Sequence, residues 1–325
     1  MMARQRIIGA LLTVAATIAA TTARAQTTWP DKPIRVIVPF AAGGFTDTVT
    51  RTLQPRLVEA LGQPLLVENR PGAGGTVGEA VVAKAPPDGY TILMSVDSVP
   101  ANPHLFAKLS YDLFRDLVPI TMVARVPLVL IVHPSVPATS LPELISYVRT
   151  RGGAFAYASP GTATNSHLYT ELFRSLANVE MTHVPYKGGG PAMTDLIGGQ
   201  VQAILISVTL SAPQVKAGKA RALAVASEKR FALLPNVPTF AESGYTDFTP
   251  HTWTGLLVPT GTPAAIQQRL HAEFVKAARA PEVQARFRDL SAELVMNSPA
   301  EFSAFLRTEY DRLGKLIKER RISGD

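Results

Sequence analysis

Val36-Ile37-Val38-Pro39-Phe40-Ala41-Ala42-Gly43-Gly44-Phe45-Thr46-Asp47 is the stretch from which the rest of the chain is read. Ile34 to Val38 is a short β-branched apolar run, the pattern of a buried strand. Pro39 ends its hydrogen-bonding capacity. Ala41 to Gly44 let the backbone turn tightly without side chains in the way. Thr46 or Asp47 is then expected to cap a helix over 48–61, with Gly62 as its stop and Pro55 as a kink or break inside it. This junction aims free backbone N–H groups and the positive end of a helix dipole above the sheet, which suits an anion. Taken alone, it is equally a plain β–α turn.

A second junction shifts the balance. After the apolar run 64–67 comes Asn69-Arg70-Pro71-Gly72-Ala73-Gly74-Gly75-Thr76-Val77-Gly78, leading into a helix at 79–84. A dinucleotide frame would need glycine where Val77 stands, and no Gly-Lys-Ser/Thr follows either loop, so neither is a nucleotide motif.

Length and composition bound the rest. The chain has 325 residues, 46% of them apolar, enough for two domains with cores of their own. It contains no cysteine, which excludes disulfides, cysteine metal sites and a thiol nucleophile. Arg4 and Arg6, the apolar run 7–20 and Ala23-Arg24-Ala25 have the form of a signal peptide cleaved after Ala25. A periplasmic address is expected. Losing Arg4, Arg6 and Arg24 lowers the formal charge from +7 to +4. The remaining basic residues are scattered, so nucleic acid is not an expected partner.

Along the chain, strands are expected at 90–94, 154–158, 179–184, 201–207 and 221–226, with helices at 140–149, 166–177, 191–198, 263–279, 281–289 and 299–317. Residues 111–117 read as a loop. Two further small-residue loops, Ser159 to His167 and Pro185 to Gly190, again open helices. The alternation implies an α/β fold of parallel sheets flanked by helices. The chain is expected to leave a first lobe (26–125 and 253–325) for a second (126–252) through two crossover strands, with the four loops converging on the cleft between them.

Taken in order, these pieces resemble the periplasmic solute-binding proteins of tripartite tricarboxylate transporters, the Bug family. The matching pieces include Trp29-Pro30, the Pro39-to-Asp47 loop, Val67-Glu68-Asn69-Arg70-Pro71-Gly72-Ala73-Gly74-Gly75 and Pro87-Asp88-Gly89-Tyr90-Thr91. They continue with Val184-Pro185-Tyr186-Lys187-Gly188, Gly198-Gly199-Gln200-Val201 and Leu234-Pro235-Asn236-Val237-Pro238-Thr239. The resemblance implies a two-lobed Venus-flytrap fold of the type II periplasmic-binding class. It implies a small organic carboxylate held by backbone amides of the first loop (Phe40, Ala41, Gly43, Gly44) and of the second-lobe loops (Thr162, Tyr186, Gly188). It also implies delivery to membrane permease subunits by a monomer without cofactor or metal. Two departures stand out. Phe45 takes the place of a frequent proline, and Ser207 that of a frequent aspartate, which argues against an amino-acid ligand.

Individual side chains carry competing readings. Asp47 reads as a cap before a ligand contact. Thr164 and Asn165 offer polar groups at a helix start. His167 reads as structural before ligand-binding, Lys187 as either a carboxylate partner or a solvated lysine, and Arg70 as a staple of its loop. Ser95, Asp97 and Ser98 lie at the C-terminal end of a strand, where open sheets place ligand loops. Ser159 or Ser166 near His167 is a weak hydrolase signal; no G-x-S-x-G elbow is present, and the six histidines lack metal spacing. An enzyme is not expected. A sensing subunit that presents the same ligand to a receptor is the alternative to transport.

Overall fold

A computed structural model describes residues 29–246 and 248–322. The expected signal peptide and its cleavage after Ala25 lie outside the described residues. The chain divides into two compact units, 1–31 and 32–325. Of the first, Trp29 to Asp31 are described, and the Trp29–Pro30 peptide is cis. All the described strands and helices belong to the second.

Strand β1 (Ile34–Val38) is buried except at Arg35. It lies parallel between β2 (Leu65–Asn69) and β3 (Thr91–Val96), with Val36 facing Val67 on one side and Ile92 on the other. Helices α1 (Phe45–Leu61) and α2 (Thr76–Ala83) follow β1 and β2. Helix α1 starts three residues before the expected 48 and continues past Pro55. Gly62 ends it in the left-handed region, donating its N–H to the Val58 carbonyl. Beyond β3 stand two short helices, α3 (Asn102–Leu105) and α4 (Leu113–Asp116). The second replaces the expected loop, because the Asp112 side chain accepts the Phe114 and Arg115 N–H groups as a cap.

Strand β4 (Leu117–Val132) is the spine of the molecule. Its first part, to Pro127, pairs antiparallel with β9 (His251–Pro259). Its last five residues pair antiparallel with β7 (Ala203–Ser207), and four of those also face β8 (Arg221–Val225). Pro127 stands where one set of partners hands over to the other, a place for a residue without an N–H.

The second half follows the expected rhythm. Helix α5 (Leu141–Arg149) is capped by Ser140. Strand β5 (Ala156–Ser159), helix α6 (Asn165–Ala177), strand β6 (Thr182–Pro185), helix α7 (Gly189–Ile197), β7 and helix α8 (Val208–Lys216) succeed one another. Strand β5 lies parallel to β6 and β7. After β9 come helices α9 (Ala264–Ala278) and α10 (Pro281–Asp289), the two-residue strand β10 (Glu293–Leu294), and helix α11 (Pro299–Arg320).

The strand order is β2-β1-β3-β9-β4-β7-β5-β6, with β8 and β10 also on β4. The outer strands are parallel as expected, whereas the joining strands β4 and β9 make the centre antiparallel. The result is a mixed α/β sheet in two halves. Each half has its own apolar core, one around Trp253 and Phe302, the other around Phe173, Phe240 and Phe248. Gly255 shows how tight the first is: a Cβ there would come 2.3 Å from Phe302 Cζ. No described helix is long and apolar enough to cross a membrane.

Candidate functional site

Four helices start at the C-terminal ends of strands, and all four starts line one cavity. Helix α1 contributes Gly44, Phe45, Thr46 and Asp47, α6 contributes Thr164 and Ser166, α7 contributes Gly189, and α8 contributes Ser207 and Leu210. Phe40, Ala41, Val96, Asp97, Leu128, Pro160, Ile206 and Thr252 complete the wall. The cavity offers about 50 Å³ to the centre of a water-sized sphere, room for a small molecule.

The helix starts are unusually open. Gly44, Gly188 and Ser207 precede α1, α7 and α8, and none supplies a side-chain cap. Their first N–H groups are therefore not taken by a capping side chain. Thr164 does cap α6, accepting the His167 N–H. The Ser207 hydroxyl is buried and has no protein partner. Among the described residues, no lysine or arginine lines the cavity. Negative charge placed here would rest on backbone N–H groups and helix dipoles.

The loops of the two half-sheets meet above this space. The Ala41 N–H donates to the Lys187 carbonyl at 2.7 Å. Gly188, at φ +145°, passes so close that a Cβ would lie 3.1 Å from Ala41 N. A Cβ on Gly74 would lie 2.7 Å from the Thr162 carbonyl. Glycine is required at both places by conformation and by space.

Two aspartates face the cavity and differ in state. Asp47 is not the expected cap: it sits inside the first turn of α1 and accepts from Gly43 N–H (3.0 Å), Arg51 Nε (3.0 Å to each oxygen) and Asn69 Nδ2 (3.1 Å). Burial pushes its pKa up, but the Arg51, Gly43 and Asn69 hydrogen bonds outweigh it and hold the carboxyl below its ordinary value. Asp97 is buried, accepts from Thr252 and from the Asn165 and Trp253 N–H groups, and has no cationic partner; burial pushes it up to about 7.

Of the residues singled out in the sequence, Phe40, Ala41, Gly44, Phe45, Asp47, Asp97, Thr164 and Ser207 meet at the cavity. The others stand off its wall. Gly43 gives its N–H to Asp47. Ser95 Oγ donates to the Gly255 carbonyl, and Ser98 Oγ to Gly74. Thr162 backs Gly74. Asn165 spends its N–H on Asp97 and its Nδ2 on the His251 carbonyl. His167 stacks on His183 at 4.0 Å between ring centres, and burial pushes its pKa to about 4, which fits the structural reading. The Tyr186 hydroxyl donates to Asp195, Lys187 offers its carbonyl rather than its ammonium, and Gly188 packs on Ala41. Arg70 pairs with Glu68, one of its own loop's neighbours.

The serines of the hydrolase signal find other partners than His167. Ser166 donates to the Leu205 carbonyl, and Ser159 lies 2.7 Å from His183 rather than His167. Ser159 is buried. The wall residues that sequence reasoning missed are mainly apolar: Val96, Leu128, Pro160, Ile206 and Leu210, with Thr46, Ser166, Gly189 and Thr252. Thr46, Pro160, Ser166 and Gly189 belong to the small-residue loops that the sequence offers; the others carry no such signal.

Residues 49–322 match the family described as the tripartite tricarboxylate transporter family receptor. The chain is 37% identical to the protein BugT of Bordetella pertussis over 294 residues, covering 90% of each chain. Among solved structures, R. palustris Rpa4515 with adipate is 34% identical, with a TM-score of 0.87 over 91% of this chain and 99% of that one. MatC from Rhodopseudomonas palustris with bound malate is 33% identical, with a TM-score of 0.85 over 89% of this chain and 100% of that one. Family and fold agree with the open helix starts, and the chain belongs to the tripartite tricarboxylate transporter receptor family, as a periplasmic solute-binding protein of the Bug type.

Proposed function

We propose that this protein captures a small organic carboxylate between its two lobes and presents the closed form to a membrane transporter. The lobes of this reading are residues 26–125 with 253–325, and 126–252. The protein acts as a periplasmic monomer, released from its signal peptide after Ala25, and performs no covalent chemistry. The observation that carries the reading is the convergence of four helix starts, three without a capping side chain, on a cavity with no basic side chain. A carboxylate satisfies such N–H groups without a dedicated arginine. Adipate and malate in two related structures support the ligand class. Closure follows if the ligand binds the closed form more tightly than the open one, and contacts such as Ala41 to Lys187 form only when the loops meet.

The test is thermal unfolding of the protein from Gln26, refolded to strip carried-over ligand, against mono-, di- and tricarboxylates and their amides. An acid at a hundred times its Kd stabilises by about 2.7 kcal/mol. A shift with an acid and none with its amide is expected. If only neutral or cationic solutes shift the transition, the carboxylate reading fails.

A further inference from the structure

Both aspartates in the cavity wall have the same four lone-pair positions, but they use them differently. Asp47 meets a cation: the Arg51 Nε–H is shared between its two oxygens, with Asn69 Nδ2 on Oδ1 and the Gly43 N–H on Oδ2. Asp97 has three partners, the Asn165 N–H at 3.1 Å, the Thr252 side chain and the Trp253 N–H. One acceptor position is left on a carboxyl that is 1% exposed and lines the cavity. Across the same space, from the other half-sheet, Ser207 brings a 2%-exposed hydroxyl with no protein partner. The same wall carries the apolar Val96, Leu128 and Ile206.

We propose that Asp97 determines the specificity of this site, by requiring a carboxylate whose far end carries a hydroxyl or amino group that donates to it. The proposal rests on the carboxylate reading above and narrows it. The helix starts and Ser207 supply donors for the ligand's carboxylate, and Asp97 supplies the acceptor at the other end. A ligand with an alkyl end leaves the buried carboxyl short of a partner. A second ionised carboxylate meets like charge, with no cation on the wall to offset it. Glu309 on helix α11 also acts on Asp97, but its charge is paired with Arg312 at 2.6 Å. Burial raises the Asp97 pKa. The missing aspartate at position 207 therefore does not exclude an amine, because another acid lines the same cavity.

The test is titration calorimetry at pH 8 with matched three- and four-carbon acids. The probes are butyrate, 4-hydroxybutyrate, 4-aminobutyrate and succinate, with propionate, 3-hydroxypropionate, 3-aminopropionate and malonate as the shorter set. In at least one set, the hydroxy or amino acid should bind at least tenfold tighter than both the alkanoate and the dicarboxylate, since a site built to accept a proton donor rejects analogues that lack it. In Asp97→Asn that gap should collapse. The wild-type series alone decides the matter if the variant folds poorly. Alkanoates or dicarboxylates binding as tightly as the donor-bearing acids would overturn the proposal and leave the carboxylate reading standing. Failure of all eight acids to bind would overturn the proposal, and failure of the wider series of mono-, di- and tricarboxylates as well would overturn both.

Discussion

Ser207→Ala should move stability and binding in opposite directions. Ser207 stands at the start of α8 but makes no capping hydrogen bond through its side chain, so the usual cost of about 1 kcal/mol for losing a cap does not apply. Its hydroxyl is 2% exposed and finds no protein partner. Deleting a buried unsatisfied polar group removes a desolvation cost of about 1–3 kcal/mol, offset in part by the small void left behind. The ligand-free variant is therefore expected to be as stable as the wild type or up to about 1 kcal/mol more stable, on the order of 2 °C in Tm. In the complex the same hydroxyl donates to the ligand's carboxylate, and a hydrogen bond to a charged group contributes about 1.5–3 kcal/mol. Affinity should fall roughly 10- to 150-fold. Calorimetric unfolding of the stripped protein and titration with its best acid give the two numbers. A stability loss above about 1 kcal/mol with an unchanged Kd would show that Ser207 serves the fold and not the site, and would refute the reasoning.

Other perturbations separate the loops from the wall. Gly188→Ala places a Cβ 3.1 Å from Ala41 N at a φ of +145°, a strain of about 1–3 kcal/mol. Binding should weaken at least tenfold, and small-angle scattering with ligand should show a larger radius; an unchanged Kd would mean the loops need not meet. Lys187→Ala should leave Kd within about threefold, because its ammonium is not on the cavity wall and an exposed charge contributes little; a loss of tenfold or more would restore Lys187 as a ligand partner. Glu79 is 0% exposed, and burial raises its pKa to about 7 despite the Tyr111 and Asn102 hydrogen bonds. Between about pH 4.3 and 7 the folded state holds a proton that the unfolded chain has released, so this contribution is complete at low pH and lost as pH rises through 7. Stability should fall by up to about 1.4 kcal/mol per pH unit across that window. In Glu79→Gln this component should vanish in urea titrations from pH 4 to 8, and parallel curves for the two proteins would disprove it.

How much of this was legible depends on how local each signal is. Strand β1 and helix α10 match the expected 34–38 and 281–289 residue for residue, since an unbroken β-branched run and a proline-started helix are complete within their own sequence. Ser140 caps α5 for the same reason. Helix α8 escapes such a reading: Val208 and Leu210 continue the apolar strand β7, and Pro213 argues against a helix interior. The antiparallel centre escapes it too, because β9 pairs with β4 across more than a hundred residues of chain.

The sequence alone determined the alternation of strands and helices, the glycine loops and the helix starts that follow them. These are properties of neighbouring residues: glycine's freedom at positive φ, proline's missing N–H, and the period of apolar side chains. Tertiary structure decided which groups face the ligand space. Val96, Leu128, Ile206 and Leu210 carry the same apolar signal as core residues, and only the meeting of the two half-sheets turns them toward a cavity. It also decided the fate of the acids. Asp47 and Asp97 are both aspartates beside a helix start, yet one meets Arg51 and Asn69 and stays ionised, while the other is enclosed with neutral donors and is pushed up toward neutrality. Charge state and remaining hydrogen-bonding capacity depend on partners distant in sequence, and folding alone brings those partners together.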